Sequence, residues 1–191
     1  MAQGETISIY SDRDGAEGSW SLPQVITAQA AGRDIREPLI GSGVDGTVYV
    51  AYNDINTDSG SVNASSPQKF KIKYSIDNGE TYSEDFTIAT HDYAFARLFG
   101  SVKLVPSDRN HDEYMLIVTA YFRTSATEYA TGYYKTYDLK PSESTIWDFI
   151  QVANDINGFS ECDIVFRGRE IIYAVRGTTG GQGITLSLIH I

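Results

Sequence analysis

A carboxylate and a guanidinium stand at the two ends of a predicted hairpin late in the chain. Glu161 opens an apolar run that reaches Phe166, and a second apolar run, 171–175, leads to Arg176. A hairpin that runs out and back brings its two ends together, so Glu161 and Arg176, fifteen positions apart, are expected to be neighbours. A carboxylate can accept a proton from a reacting group, and a guanidinium can bind an anion in bidentate geometry. The same pair can also cap a hairpin at the protein surface without further function.

The composition favours strands and tight turns. The 191 residues include 13 Tyr and 8 Phe, with 17 Gly and only 5 Pro, a mixture typical of an all-β protein. The length is sufficient for one domain with a buried core. Cys162 is the one cysteine, so an internal disulfide is excluded. No apolar run in the sequence approaches the length of a transmembrane helix.

The charge limits the classes of partner. A net charge of −10 argues against nucleic acid and against an anionic membrane surface. A small acidic ligand is compatible with this charge, because salt screens surface charges beyond about 10 Å and a local group of arginines decides the affinity. The three histidines are scattered without metal-ligand spacing, so the sequence predicts neither a metal nor a cofactor. The oligomeric state stays open.

Predicted strands recur in groups of four. The second group covers residues 37–40, 47–52, 70–74 and 86–88, with a polar loop over 53–68, and the third covers 101–105, 114–122, 132–137 and 146–152. Parts of a first and a fourth group cover 6–26 and 161–175, which places boundaries near residues 30, 92 and 155. Repeated four-stranded antiparallel units predict a β-propeller. The alternative, a β-sandwich, would show no such period.

One turn in the first three groups carries a related motif. Residues 75–82 read Ser-Ile-Asp-Asn-Gly-Glu-Thr-Tyr. Asn78 and Gly79 suit a positive φ, and Asp77 can accept hydrogen bonds from backbone N–H groups of the turn. Residues 11–20 are a looser copy with two extra residues, and residues 138–147 are a copy that lacks the glycine. The motif therefore predicts a hairpin turn.

The aromatic residues that close these motifs supply the period of the repeat. Trp20, Tyr82 and Trp147 are 62 and 65 residues apart, and each is predicted to lie beside the turn into the outermost strand of its unit. The motif resembles the Asp box, or BNR repeat, of the sialidase-type β-propellers. The boxes have a structural role in that resemblance, so neither Asp14 nor Asp77 is expected to be catalytic.

The resemblance extends to the hairpin of Glu161 and Arg176. Bacterial exo-sialidases carry a Ser-Glu pair shortly after their third Asp box and a substrate-binding arginine about fifteen residues later, and Ser160-Glu161 and Arg176 match both. Cys162 departs from the proline or asparagine of many relatives. Glu37-Pro38 falls where relatives have an Asp-Pro that contacts the sugar near its C4 hydroxyl or N-acetyl group. A strand-initiating proline beside a solvated acid is the alternative interpretation of that pair.

This resemblance implies a fold and a chemistry. The fold is all-β, a sialidase-like β-propeller of four-stranded antiparallel blades, of which residues 1–185 would hold about three of six. The activity is hydrolysis of terminal sialic acid from sialylated glycans with retention of configuration. Three arginines, one matching Arg176, hold the carboxylate of the sugar. A tyrosine attacks the anomeric carbon with a glutamate, here Glu161, as its base, and an aspartate serves as acid and then base. The family also implies a secreted, periplasmic or cell-surface location.

Several participants of that chemistry have no match in the chain. In relatives the first arginine and the acid/base aspartate precede the first Asp box, and Arg36 comes too late to be that arginine. The third arginine and the nucleophilic tyrosine belong to later blades. We therefore expect the chain to be the middle half of a sialidase and to be inactive alone. Two other functions stay open, namely a non-catalytic carbohydrate-binding or host-recognition propeller and a different glycosidase on the same fold.

The last six residues resemble a sequence of technical origin. Residues 186–191 read Leu-Ser-Leu-Ile-His-Ile, which is similar to the translation of an adapter end used in sequencing libraries. They are expected to be an artefact and are excluded from the predicted fold. Because the run is apolar, a genuine strand is the alternative.

Overall fold

The computed structural model describes most of the chain in ten ranges. These are residues 6–9, 23–28, 30–57, 67–92, 96–110, 112–125, 128–155, 159–167, 170–177 and 184–190. The first motif copy, with Asp14 and Trp20, lies outside the described residues. Across the ten ranges there is no helix long and apolar enough to cross a membrane.

The described residues form thirteen strands. Their bounds are β1 Thr6–Ile9, β2 Gln24–Ala28, β3 Arg33–Ser42, β4 Val48–Asn56, β5 Gln68–Ser75, β6 Phe86–His91, β7 Ala96–Pro106, β8 Tyr114–Arg123, β9 Tyr129–Thr136, β10 Asp148–Asp155, β11 Phe159–Arg167, β12 Glu170–Gly177 and β13 Ile184–His190.

The strands form four antiparallel sheets in chain order. Two sheets have four strands, β3-β4-β5-β6 and β7-β8-β9-β10, and they are flanked by the pair β1-β2 and the triplet β11-β12-β13. Within each sheet, strands that are consecutive in the chain pair with each other. The predicted all-β class and the units of four short antiparallel strands are therefore confirmed.

The sheets pack face to face through three apolar clusters. One cluster lies between the first and second sheets, one between the second and third, and one between the third and fourth. The central strands contribute to a cluster on each side. Tyr49 and Ala51 of β4 pack toward the third sheet, whereas Val50 and Tyr52 pack toward the first. Burial on both faces explains why residues 48–52 of this strand are a continuous apolar run instead of an alternating one.

The first strands of successive sheets lie side by side. β3 contacts β7, and β7 contacts β11. The contact is close, since a Cβ built on Gly41 would lie 2.0 Å from the carbonyl oxygen of Val102 in the next sheet. These three strands therefore form one continuous wall, and the second, third and fourth strands of each sheet extend away from it.

β4 and β5 extend into residues that the sequence predicts as a polar loop. Asn53 and Gln68, which were expected in a polar loop, belong to β4 and β5 and are fully buried. Burying an amide is costly unless its polar atoms find hydrogen-bond partners. Both side chains find such partners among residues of β7. No local sequence pattern predicts these contacts.

The final strand involves residues that the sequence analysis excludes from the fold. β13 pairs with β12 from Arg176 opposite Ile184 to Glu170 opposite His190. An apolar run of this kind can add to any open sheet edge. The pairing therefore accounts for the position of residues 186–190, and their technical origin stays a prediction.

The turn between β5 and β6 has the predicted hydrogen bonds. Asp77 accepts a hydrogen bond from the backbone N–H of Thr81 at 2.9 Å, and Ser75 Oγ accepts one from the N–H of Gly79 at 2.8 Å. Asn78 and Gly79 have φ values of 57° and 83°. The motif thus builds a tight turn in which side chains replace the backbone partners of a ladder.

The turn between β9 and β10 is built in a similar way. The Thr145 hydroxyl donates a hydrogen bond to Asp138 at 2.5 Å, as the Thr81 hydroxyl does to Asp77 at 2.5 Å. Both turns join the third strand of a sheet to its fourth. Tyr82 and Trp147, which follow the two threonines, therefore occupy equivalent places as predicted.

We expect the stability contributed by Asp77 to depend on pH. Hydrogen bonds from Ser75 and then from Thr81 hold the pKa of Asp77 well below its usual range. A carboxyl whose pKa is lowered by folding stabilises the protein above its unfolded pKa, about 3.9, and loses this effect as pH falls through the folded value. Relative to Asp77→Asn, the wild type should therefore be more stable by a constant amount above about pH 5, and by less below about pH 4.

Urea unfolding at a series of pH values measures this difference. Glu84→Gln, at an exposed position just after the turn, is the matched control for the loss of one surface carboxylate. A gap between wild type and Asp77→Asn that stays constant from pH 7 to pH 3 would contradict the prediction.

Candidate active site

The three adjacent first strands each break their ladder register. The shifts lie between Arg36 and Leu39 in β3, between Leu98 and Val102 in β7, and between Phe159 and Cys162 in β11. In each case the first strand advances by three or four residues while its partner advances by two. Extra residues of this kind form β-bulges, which leave the ladder and redirect their side chains.

The three bulges border one cleft of about 560 Å³. It is lined by Glu37, Pro38 and Leu39 from β3, Leu98, Phe99 and Gly100 from β7, Glu161, Cys162 and Asp163 from β11, and Ala174, Val175 and Arg176 from β12. The three residues singled out in the sequence, Glu37, Glu161 and Arg176, therefore lie around the same space. Asp77 lies at the opposite end of its sheet, since Ser75 pairs with Val48 at the start of β4.

Glu161 and Arg176 form an ion pair at one side of this cleft. Arg176 Nη1 donates a hydrogen bond to Glu161 Oε2 at 2.5 Å, so the predicted proximity is confirmed. The hydrogen bond and charge of Glu161 raise the pKa of Arg176. The two side chains are 63% and 37% exposed for Arg176 and Glu161, respectively. A ligand can therefore reach the pair from solvent.

Glu37 enters the cleft from the other side with an unusual backbone. Its φ is 53°, a left-handed conformation that costs a non-glycine residue energy and is often found at functional sites. Its carboxylate pairs with Arg97, Nε to Oε1, at 3.0 Å, and accepts a hydrogen bond from the Asn53 amide. Burial raises the pKa of Glu37, and the charge of Arg97 opposes that rise.

Two further charged or polar residues lie near these groups. Arg97 is the second residue of β7, and Tyr121 is its cross-strand partner in β8. Burial, followed by the charge of Glu37, raises the pKa of Tyr121 to about 12, and the charge of Glu161 acts in the same direction. The phenol is therefore a neutral hydroxyl within the field of both carboxylates.

Arg97 and Tyr121 were not identified from the sequence. The strand was predicted to begin at Ser101, whereas β7 begins at Ala96, so Arg97 fell outside the predicted strands. The available signal is a charged residue inside the apolar run of 96–99. Tyr121 is one of 13 tyrosines, and only the register across β7 and β8 distinguishes it.

Cys162 has a packing role at the floor of the cleft. It is 3% exposed, and burial raises the pKa of its thiol to about 12. The thiol lies 3.7 Å from the carbonyl oxygen of Phe99 and 3.9 Å from that of Ala120. Cys162 is thus a small inert side chain packed between two sheets.

Comparisons with known proteins rest on structure, since no family model matches the chain and no curated protein matches its sequence. The solved structure of the Hadza microbial sialidase Hz136 superposes with a TM-score of 0.73 at 14% identity, over 96% of this chain and 38% of that chain. A protein of unknown function from Dyadobacter fermentans DSM 18053 superposes with a TM-score of 0.68 at 12% identity, over 96% of this chain and 54% of that chain.

These likenesses concern the fold. At 14% and 12% identity they say nothing about shared substrates. The chain spans about two fifths and about half of the lengths of these two proteins. Together with the unclosed set of antiparallel sheets, they confirm the predicted fold class, and the chain is part of a β-propeller.

Proposed function

We propose that the chain is the central part of a retaining exo-α-sialidase and that its cleft binds a terminal sialic acid. The observation that carries this proposal is the convergence of Glu37, Glu161 and Arg176 on one cleft from three separate strands. All three residues match the sialidase pattern in sequence, and a chance match would not bring Glu37 of a separate sheet to the cleft that Glu161 and Arg176 border. The fold likeness to a microbial sialidase supports the same proposal.

The geometry suits a sugar that carries a carboxylate. The exposed guanidinium of Arg176 can bind a ligand carboxylate in bidentate geometry. Pro38, Leu39 and Phe99 provide an apolar surface beside it, against which the C–H groups of a sugar ring can pack. Glu37 offers a hydrogen-bond acceptor to the polar edge of the ring.

Glu161 would act as the base toward the nucleophile. A phenol is a poor nucleophile until its proton is removed, and a carboxylate within hydrogen-bond reach lowers the cost of that removal. The ion pair with Arg176 orients the Glu161 carboxylate while the substrate is absent. The tyrosine, the acid/base aspartate and two further arginines would be supplied by other parts of the propeller, so the 191-residue chain alone should not hydrolyse a sialoside.

The apolar cleft also supports a second function. A non-catalytic propeller that binds sialylated glycans needs the same anion-binding arginine and apolar wall, but needs no base. Hydrolysis of a fluorogenic sialoside by the complete protein separates the two proposals. Binding without turnover would favour the second.

We expect Arg176→Ala to weaken substrate binding in the complete protein. Loss of the charged hydrogen bonds to a ligand carboxylate should raise KM by about 10- to 100-fold. The effect on kcat should be smaller, since the contact exists in the bound substrate as well as in the transition state. Steady-state kinetics with a fluorogenic sialoside measure both.

Arg167→Ala is the matched control for this variant. Arg167 forms an exposed ion pair with Glu170 at the other end of the same hairpin, at 2.5 Å. Its loss should leave KM within a factor of two. Equal KM values for Arg176→Ala and the wild type would refute the assigned role.

A further inference from the structure

A buried polar cluster lies behind Glu37. Asn53 of β4 and Gln68 of β5 are fully buried, and the Arg97 side chain of β7 is only 15% exposed. Glu37 itself is 34% exposed and lines the cleft. One reachable carboxylate is thus backed by three polar side chains that are largely withdrawn from solvent.

Asn53 joins Glu37 to the next sheet. Its Nδ2 donates to Glu37 Oε2, and its Oδ1 accepts a hydrogen bond from the backbone N–H of Leu98 at 3.0 Å. Leu98 is the last residue of β7 before the bulge. Asn53 therefore ties the Glu37 carboxylate to the edge of a second bulge that borders the same cleft.

Arg97 fixes the other oxygen of the same carboxylate. Its Nε pairs with Glu37 Oε1 at 3.0 Å. Its Nη1 donates to Gln68 Oε1 at 2.7 Å and to the carbonyl oxygen of Ala96 at 2.8 Å. The guanidinium is thus oriented by two further contacts, which leaves Glu37 little freedom to rotate.

This arrangement is more than sheet stability requires. Burying an amide and a guanidinium is costly, and a pair of apolar side chains could join the two sheets at lower cost. The left-handed backbone conformation of Glu37 adds a further energetic cost. Each of these energetic costs arises from a group that helps to fix the Glu37 carboxylate, and this carboxylate is the group in the cluster that a ligand can reach.

We propose that Arg97 and Asn53 are positioning residues that hold Glu37 as an ionised, fixed acceptor for a hydroxyl or amide N–H of the ligand. The inference rests on the proposed function only in taking the ligand to be an acidic sugar. It assigns different roles to the two sides of the cleft. Arg176 binds the anionic group, and Glu37 accepts a hydrogen bond from a donor on another edge of the ring.

The charges around Glu37 support this assignment. Arg97 of the next sheet and Arg36 of the same strand both lower the pKa of Glu37 against the larger effect of burial. A further titratable group near Glu37 and Arg97 is the Tyr121 hydroxyl, whose pKa is raised by the charge of Glu37 and lowered by the charge of Arg97. Without Arg97, burial would favour the protonated acid, which cannot act as a double acceptor.

The first test is the pKa of Glu37 in the 191-residue chain, read from its side-chain carboxyl resonance by NMR. Arg97→Gln should raise this pKa relative to the wild type, and Arg97→Lys should restore part of the difference because it keeps the charge. Arg33→Gln, which removes an arginine paired with Asp54 in the same sheet, is the control and should leave it unchanged. Asn53→Asp should also raise the pKa of Glu37 above the wild-type value, because it places a second carboxylate beside Glu37.

The second test uses kinetics of the complete protein. Arg97→Gln should raise KM by about tenfold or more at pH 6, with recovery toward the wild-type value at higher pH as Glu37 ionises. A role limited to stability would lower the melting temperature but would not produce this pH-dependent recovery. Arg97→Lys should recover most of the affinity at every pH.

The third test identifies the donor on the ligand. Glu37→Gln should weaken an intact sialoside by about tenfold, but should have little effect on the one derivative that lacks the hydroxyl or acetamido group facing Glu37. If no sialoside binds to the wild type, the proposed function fails while the NMR test still stands. A folded Arg97→Gln variant with an unchanged Glu37 pKa and a KM within twofold of wild type would overturn the inference.

Discussion

Glu161→Gln in the complete protein is expected to lower kcat by about 10²- to 10⁴-fold, the range typical for loss of one general base. Glutamine keeps the shape of the side chain and a hydrogen-bond acceptor for Arg176, but it cannot take the proton of a nucleophilic phenol. KM should stay the same or fall. The reason is that Arg176 loses a charged partner that competes with the ligand carboxylate.

Pre-steady-state and steady-state kinetics with a sialoside that has a good leaving group separate the two parameters. Glu170→Gln, which removes a carboxylate from the far turn of the same hairpin, serves as the control. A tenfold or greater rise in KM for Glu161→Gln with kcat preserved would show that Glu161 binds substrate and is not the base. Such a result would leave the cleft intact but would remove the proposed mechanism.

Gly100→Ala is expected to be among the most destabilising single substitutions in the described part of the chain. Gly100 has a φ of 99°, which disfavours any residue with a Cβ. A Cβ there would also lie 2.0 Å from the carbonyl oxygen of Cys162 in the next sheet and 2.9 Å from Thr119 Oγ1. Since backbone atoms of a packed sheet cannot move aside cheaply, we expect a loss of about 3 kcal/mol or more in the free energy of unfolding.

Two other glycines separate the causes of this effect. Gly46 has a φ of 83° but faces only the side-chain oxygen of Asn78, at 3.1 Å, so Gly46→Ala should cost about 1 kcal/mol from the backbone conformation. A Cβ at Gly41 would lie equally close to backbone, 2.0 Å from the Val102 carbonyl oxygen, but the φ of Gly41 is not positive. Urea unfolding of the three variants should rank Gly46→Ala as the mildest. A Gly100→Ala variant as stable as Gly46→Ala would contradict the close packing of the two sheets.

The parts of the structure that were predictable from sequence are local. The turn after β5 was predicted because Ser75, Asp77 and Gly79 bond within five residues of one another. The pairing of Glu161 with Arg176 was predicted because one hairpin fixes it. The equivalent places of Tyr82 and Trp147 were predictable for the same reason, since each unit repeats the same local motif.

The parts that were missed depend on contacts between sheets. Asn53 follows an apolar strand in the sequence and was assigned to a loop, whereas its partners, Glu37 and Leu98, are 16 and 45 residues away. Arg97 was outside every predicted element because its partners come from two strands of a different sheet. Asn53 has no local signal of its function and Arg97 has only its charge within an apolar run, so the packing of successive sheets is needed to reveal both roles.

The bulges separate positions whose side chains must fit the sheet ladder from positions whose side chains need not. Ladder positions must satisfy a cross-strand partner and one or two apolar clusters, whereas Glu37 and Glu161 sit where the ladder register is broken. A new side chain at Glu161 can therefore change what the cleft recognises without repacking the sheets, whereas one at Glu37 must also satisfy Arg97 and Asn53. Because each sheet carries its own bulge, such changes can accumulate one blade at a time. An architecture of this kind can change its ligand through a series of folded intermediates, with stability and specificity altered in separate steps.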